Sequence, residues 1–535
     1  VRDLSRRGFL AALGIGAAAA CSDDSHGDAD AIRRALASTT TEPVATTAPA
    51  SPALLGDPFV LGVASGDPLA DRVVLWTRLA TDAAGGGLPP ADVTVVWEVA
   101  EDDAFTTLAA SGIATAPAAH AHSVHADATG LRPDTWYWYR FRVGPHTSPV
   151  GRTRTLPARD ARPDQLRFAV TSCQDWEDGY YHAWHDVAAT DLDLVVFLGD
   201  YIYESAGRDL GPTVVRQHPA TEATDLDGYR ARYALYRSDP LLRTAHQRFP
   251  WIVVWDDHEV QNDYAGIHSP LEAAGVTRDQ FLARRAAAYQ AWWEHMPVRM
   301  DPPVGPDLKI YRSFRYGSLA SLFMLDTRQY RDDQPCGSTG GVNTAKPCAE
   351  VDDPARTMLG RDQERWLLDG LDASDTTWNV IGNQVVMTPI QVDGVALNYD
   401  QWDGYGASRA RLLDHLAAKE IVNTVVVTGD LHLGAVGSLV SDASKVPTLI
   451  ATELVGTSIS SDPGLPAGIG KVVMSAVPDL SYFDADHRGW CHCVVTPEKW
   501  TAEFRVVADD RAQSSPVTVA ATFEIHPDEP GAKRV

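Results

Sequence analysis

From Leu166 onward, short and nearly continuous apolar runs alternate with helical patterns. The runs are Leu166-Arg167-Phe168-Ala169-Val170-Thr171-Ser172, 192–199 (LDLVVFLG), Trp251-Ile252-Val253-Val254-Trp255, Asn379-Val380-Ile381-Gly382 and 423–429 (NTVVVTG). Runs of this kind suit strands buried on both faces of a sheet. The periodicity predicts helices over 279–295, 362–371 and 407–419. Residues 164–525 are therefore expected to form an α/β domain, layered mixed sheets with flanking helices. Residues 58–157 read differently. Val73-Val74-Leu75-Trp76-Thr77 and Val93-Thr94-Val95-Val96-Trp97-Glu98 are rich in β-branched residues and are broken by Gly, Pro and Asp turns. The stretch 135–143 (TWYWYRFRV) alternates as a half-buried strand should. This region is predicted to be a smaller all-β sandwich of the fibronectin or immunoglobulin type, set off by the linker 157–163 (PARDARP). It offers no cluster of catalytic residue types, which leaves it packing, stability or substrate access. There is no internal repeat.

The N-terminal segment follows another pattern. Ser5-Arg6-Arg7-Gly8-Phe9-Leu10 precedes a small, apolar run from Ala11 to Ala20. Residues 1–21 are expected to be an export signal, too short to span a bilayer. The paired arginines resemble a twin-arginine signal, with the twin-arginine export machinery as partner. Ala18-Ala19-Ala20-Cys21 resembles a lipobox that lacks its upstream Leu, so Cys21 is either a lipid anchor or an ordinary cleavage-site cysteine. Residues 22–57, rich in Asp, Ala, Thr and Pro, read as a flexible linker. No later stretch approaches the roughly 18 apolar residues of a membrane helix. The expected location is outside the cytoplasm: extracellular, periplasmic or in the cell envelope, soluble or lipid-anchored.

A chain of 535 residues has room for two folded domains and an appendage. Its 44% hydrophobic and 22% charged content is that of a globular protein. The formal net charge of −25 excludes a nucleic-acid-binding surface as its main business. A phosphorylated substrate is not excluded, because a local metal site outweighs distant negative charge. Cys336 and Cys348 flank a Gly/Thr/Asn-rich loop and read as a disulfide. Cys491 and Cys493 share a face if their segment is a strand, with their redox state open.

The candidate chemistry lies where the apolar runs end. They end on Cys173, on Asp200, on Asp256-Asp257-His258-Glu259, on Asn383 and on Asp430-Leu431-His432, with Gly immediately before three of these endings. In α/β sheets ligands gather at the carboxyl ends of strands, so these residues can converge. Glycine lets the backbone turn sharply there. Carboxylates and a phenol suit iron(III), manganese, calcium or magnesium, and imidazole suits iron or zinc. Tyr203, three residues after Asp200, is close enough to share one ion with it, or else is a packed aromatic. A metal centre could position a phosphoryl group and generate hydroxide near neutral pH.

Taken together and in order, the motifs resemble the PhoD-type alkaline phosphatase/phosphodiesterase family, distantly related to purple acid phosphatases. They are Val63-Ala64-Ser65-Gly66-Asp67-Pro68, Ser172-Cys173-Gln174, Gly199-Asp200-Tyr201-Ile202-Tyr203-Glu204, Trp255-Asp256-Asp257-His258-Glu259-Val260, Leu325-Asp326-Thr327-Arg328, Gly382-Asn383-Gln384 and Gly429-Asp430-Leu431-His432. The resemblance implies an Fe3+ centre with Ca2+, and hydrolysis of phosphomonoesters or phosphodiesters by hydroxide held on metal. Carried over, Cys173, Asp200, Tyr203 and His432 would hold iron, with Asp200 bridging towards calcium. Asp257, Asn262 and Asp430 would serve the calcium side or the phosphate pocket, with Asp256 and Asn262 competing for the role of Asp257. His258 would protonate the leaving group, bind a phosphate oxygen or orient Asp257. Arg328 would clamp phosphate oxygens or pair with Asp326. His487 and Arg488, in the segment 482–488, are either pocket-lining or part of a solvated loop. Two other functions stay open: a phosphodiesterase of the phospholipase D kind acting on lipid or cell-wall esters, and a cell-surface binding protein with an inactive hydrolase domain.

Overall fold

The computed structural model of the protein describes Leu54 and residues 56–338, 348–392, 395–444 and 446–535. The expectations for the signal at 1–21, for Cys21 and for nearly all of the linker at 22–57 lie outside the described residues. Among those residues the strands in chain order begin with β1 Val63–Gly66, β2 Arg72–Arg78, β3 Val93–Ala100, β4 Leu108–Ala116, β5 Ser123–Thr129, β6 Trp136–Val143, β7 His146–Thr147 and β8 Gly151–Arg154. Next come β9 Leu166–Thr171, β10 Leu194–Phe197, β11 Pro250–Val253, β12 Arg312–Tyr316, β13 Ala320–Met324, β14 Trp378–Asn383, β15 Gln391–Val392, β16 Val395–Ala396 and β17 Thr424–Thr428. The last are β18 Gly434–Ser441, β19 Thr448–Val455, β20 Leu480–Asp484, β21 Arg488–Val495, β22 Trp500–Val507, β23 Val517–His526 and β24 Glu529–Arg534.

All five apolar runs become strands. A ten-stranded sheet runs β24-β23-β22-β21-β9-β10-β11-β1-β2-β5, and a seven-stranded sheet runs β12-β13-β14-β17-β19-β18-β20. Within the first, β9, β10 and β11 are parallel; within the second, β13, β14, β17 and β19 are parallel. Their residues are almost entirely buried, which is why these strands carry no polar alternation. One core cluster joins the two sheets: Val195 and Trp490 of the first pack in it with Val380 and Val425 of the second. A second cluster lies between the smaller sheet and the helices Gly360–Asp372 and Gly406–Ala418. The helix Arg278–His295 starts on a capping box, Thr277 with Gln280, and buries Phe281, Ala288 and Trp292. All three predicted helices form, to within two residues at each end. No helix among the described residues is long and apolar enough to cross a membrane.

The N-terminal strands form two layers around a shared core. In β6, Tyr137, Tyr139, Phe141 and Val143 point inward to meet Val73 and Leu75 of β2 and Val124 of β5. The layer β1-β2-β5 is not free-standing: it extends the ten-stranded sheet, because β1 pairs parallel with β11, Gly66 opposite Trp251. Gly66 is required there, since a Cβ would lie 2.3 Å from the Pro297 carbonyl oxygen and 2.7 Å from that of Trp251. Strand β2 is consequently buried on both faces, with the Trp76 indole N–H donating to the Glu294 carbonyl at 3.0 Å. Cys336 and Cys348 form the expected disulfide. Cys491 and Cys493 sit on β21 as buried free thiols, their Sγ atoms 3.8 Å apart.

Candidate metal centre

Parallel strands in both sheets end at one edge, and the turns that leave them carry the polar residues. Cys173 (φ 57°), Asp200 (φ 57°), Asp430 (φ 63°) and His432 (φ 58°) all occupy the left-handed region. That conformation costs a non-glycine residue roughly 1–3 kcal/mol, and such strain clusters at functional sites. Gly199, at φ 118°, makes the first sharp turn; a Cβ there would lie 2.4 Å from Asp256 Cβ and 2.5 Å from its backbone nitrogen. Gly199→Ala is therefore expected to lose about 2–4 kcal/mol of stability. Thermal unfolding checks this, and an unchanged midpoint would show that the strands can spread.

The sulfur, carboxylate and imidazole donor atoms of Cys173, Asp200 and His432 lie within 4.8 Å of one another. The Tyr203 hydroxyl closes the group, 3.2 Å from Asp200 Oδ2, to which it donates, and 2.9 Å from His432 Nε2. Tyr203 reaches them from an irregular segment rather than from a helical turn. Ser461 Oγ donates to the same hydroxyl at 2.8 Å. His432 is steadied through Nδ1, 3.0 Å from the Asp462 carbonyl oxygen.

Asp200 also belongs to a second set. It groups with Asp257 and His258, Asp257 groups with Asp256 and Asp430, and Asp257 groups again with Asp263 and Asp400, each set within 4.8 Å. Asp257 is the common member, its carboxylate accepting from the backbone N–H of His258 at 2.9 Å and of Asp263 at 2.5 Å. His258 Nδ1 is 2.7 Å from Glu204 Oε2, and its ring lies 4.1 Å from that of Tyr203. Asn262 stands exposed at the cavity rim, its backbone N–H donating to Glu204 at 2.8 Å.

The electrostatics call for positive charge. Burial pushes the Cys173 thiol up, with Asp200 adding to it, and pushes the Tyr203 phenol up in the same way. Burial likewise raises Asp200 well above the carboxylate range, against the opposing charge of His258. Asp430 is raised to about 7 by burial and by its neighbours Asp257, Asp400 and Asp200, against the pull of Arg328. Burial lowers His432 to about 4, keeping its imidazole neutral and able to donate a lone pair. His258 goes the other way: burial alone would lower it, but Glu204, Asp257 and Asp200 hold it well above its usual value. A thiol, a phenol, an imidazole and bridging carboxylates fit a centre for two or more cations, which would reverse each upward shift.

Three sequence expectations need correction. Arg328 is fully buried and has no face toward a substrate: its guanidinium donates to Asp256, to Asp400 at 2.7 Å and to Asp430 at 3.1 Å, and lies 3.5 Å from Asp257. It is neither a phosphate clamp nor an ion-pair partner of Asp326, which accepts only its backbone N–H. Asn383, the fourth of the five strand endings, is spent on packing, donating to Val385 and Thr428 and accepting from the Trp402 indole. Arg488 is a brace as well, donating to the carbonyls of His432 and Ala485, while exposed His487 pairs with Asp484. Sequence reading missed Asp263, Asp400, Glu204 and Ser461. Of these, only Glu204 and Asp263 had a signal, as polar neighbours of residues already singled out.

The centre opens into a cavity of about 630 Å3 lined by Asp200, Asp257, His258, Asp430 and His432 on one side. A family described as PhoD-like phosphatase matches residues 168–504, and its N-terminal domain matches residues 45–157. The chain is 43% identical over 499 residues to alkaline phosphatase D of Bacillus subtilis (strain 168), covering 91% of this chain and 84% of that one. It superimposes on a solved structure of PhoD with a TM-score of 0.84 at 42% identity, covering 90% of this chain and 93% of the other.

Proposed function

The chain belongs to the PhoD-like phosphatase family and is a phosphoric ester hydrolase; from that premise we propose that its centre holds iron(III) beside calcium. Cys173, Asp200, Tyr203 and His432 would hold the iron. Asp257 and Asp430 would hold calcium, with Asp200 bridging and Asn262 reaching the phosphate from the rim. The observation that carries this reading is Asp200, which shares one donor group with Cys173 and His432 and another with Asp257 and His258. When bound, such ions supply Lewis acidity and lower the pKa of water near neutral pH.

The chain's own residues do the rest. Parallel strand ends fix the donors before substrate arrives, so little reorganisation is needed at the moment of reaction. Glu204 holds His258 by Nδ1 and His258 lines the cavity, so Nε2 is the ring nitrogen left to donate to a phosphate oxygen or protonate the leaving alkoxide. The loop that ends at Ser461 buries the Tyr203 side of the centre from water. Residues 1–21 support export through the twin-arginine machinery, with Cys21 as lipid anchor or plain cleavage-site cysteine. A binding protein with an inactive hydrolase domain does not suit a chain in which thiol, phenol, imidazole and carboxylates stand together.

Monoester and diester substrates are distinguished by assay. Matched phosphomonoesters and phosphodiesters, including lipid and cell-wall diesters of the phospholipase D kind, should be turned over by protein carrying stoichiometric iron and calcium. Exhaustive chelation should remove activity with the metal. Activity that persists in metal-free protein would sink the proposed centre.

A further inference from the structure

The cavity has a second side that the hydrolytic chemistry does not use. Facing the metal-side carboxylates are Leu431, Leu465, Ile469, Val473, Ala476 and Phe483. Each is half-buried, one flank resting on a compact apolar cluster that includes Leu433, Val455 and Val477, the other turned to the cavity. Leu431 lies between Asp430 and His432 in the chain, so the apolar wall begins at the metal site itself.

Orthophosphate fills only a small part of 630 Å3; that volume is in the range of roughly 300–1,000 Å3 that pockets for whole organic ligands occupy. Asp200 and Asp257 are buried and line this cavity, so a phosphorus atom held at them has its ester substituents directed outward along it. Thr388, Asn398, Gln401 and Asp403 offer polar partners elsewhere in the cavity, but a group resting on the aliphatic side chains would bury any hydroxyl it carries there without a partner, and unpaired polar groups are costly to bury. An alkyl or aryl group meets no such cost and removes apolar wall from water.

We propose that the wall formed by Leu431, Leu465, Ile469, Val473, Ala476 and Phe483 is a substrate subsite for an apolar organic group esterified to the phosphate. The proposal rests on the phosphoester-hydrolase reading and adds the substrate class to it. Val473 and Ala476 lie on the short helix Gly470–Ala476, whose lining positions are aliphatic although its outer face is exposed.

The test is a chain-length series on the metal-loaded enzyme. The n-alkyl phosphates from methyl to octyl, and the matching methyl n-alkyl phosphodiesters, keep leaving-group acidity nearly constant while apolar area grows. Below micelle-forming concentrations, kcat/KM should rise about threefold to fourfold per methylene over the first several carbons, mostly through KM. Val473→Thr keeps the side-chain shape and should lower the hexyl-to-methyl ratio several-fold; Ile469→Asn should do the same at a separate point of the wall. Turnover of phosphatidylcholine vesicles would assign the apolar group to a membrane lipid. Turnover of the soluble octyl esters alone would assign it to a dispersed amphiphile, and in both cases the subsite stands. Equal turnover at every chain length, or a ratio unmoved by both substitutions, overturns the subsite and leaves the hydrolase reading intact. Failure to cleave any ester, methyl included, takes both down.

Discussion

Asp200→Ala should lose bound metal and turnover together. Among the described residues, Asp200 is the only one whose carboxylate groups both with Cys173 and His432 and with Asp257 and His258. It is buried, and it accepts a hydrogen bond from the Tyr203 hydroxyl, so its removal also takes away one of that phenol's three partners. Outer partners of metal ligands typically cost 10–100-fold in affinity or activity. A carboxylate serving two ions should cost far more, at least about a thousandfold in kcat/KM. Elemental analysis would read both metals lost from the purified variant, and the thiol-phenol side should weaken along with the carboxylate side. Asp200→Asn is the sharper control, because it keeps the shape and removes the charge. A variant that keeps iron and turnover would show that Asp200 bridges nothing. One that keeps calcium while losing iron would confine it to the thiol side.

The buried strands were readable because a strand covered on both faces has no choice but to be apolar. The donors at their ends were readable because a polar residue directly after such a run stands out. That logic located Cys173, Asp200, Asp257, Asp430 and His432. It failed at Asn383 because strand-end position does not say whether a side chain turns to the cavity or back into the fold, where Asn383 serves Trp402 and Thr428. It could not find Asp400 or Ser461, which reach the site from loops far along the chain and have no periodic neighbours. The fusion of β1-β2-β5 to the larger sheet was also invisible. Alternation in β6 reports a half-buried face, but nothing in 63–66 announces pairing with β11. Arg328 was misread for a related reason: a guanidinium after a strand suits a phosphate or a nest of carboxylates equally well, and only the surrounding charges decide.

Those charges make Arg328→Met the second large effect. The guanidinium is completely buried, and Asp256, Asp257, Asp400 and Asp430 converge on it. Removing one partner of a buried ionic network leaves uncompensated charge, at a cost of about 3–5 kcal/mol. Arg328→Lys should recover only part, because a point charge cannot donate in three fixed directions at once. The loss should also depend on pH. Although burial opposes ionisation of Asp257, Arg328 and His258 hold its carboxyl well below the ordinary value of 3.8. A carboxyl with a depressed folded-state pKa contributes stability that is present above its unfolded pKa and is lost as pH falls through the folded one. The stability gap between the native protein and the Met variant should therefore be widest near neutral pH and narrow in acid. Calcium should bind the freed carboxylates of the folded state and so restore part of the melting temperature. Unfolding scans across pH, with and without calcium, measure all of this. A phosphate clamp predicts the opposite pattern, with stability intact and product inhibition by phosphate weakened, and that result would return Arg328 to the substrate.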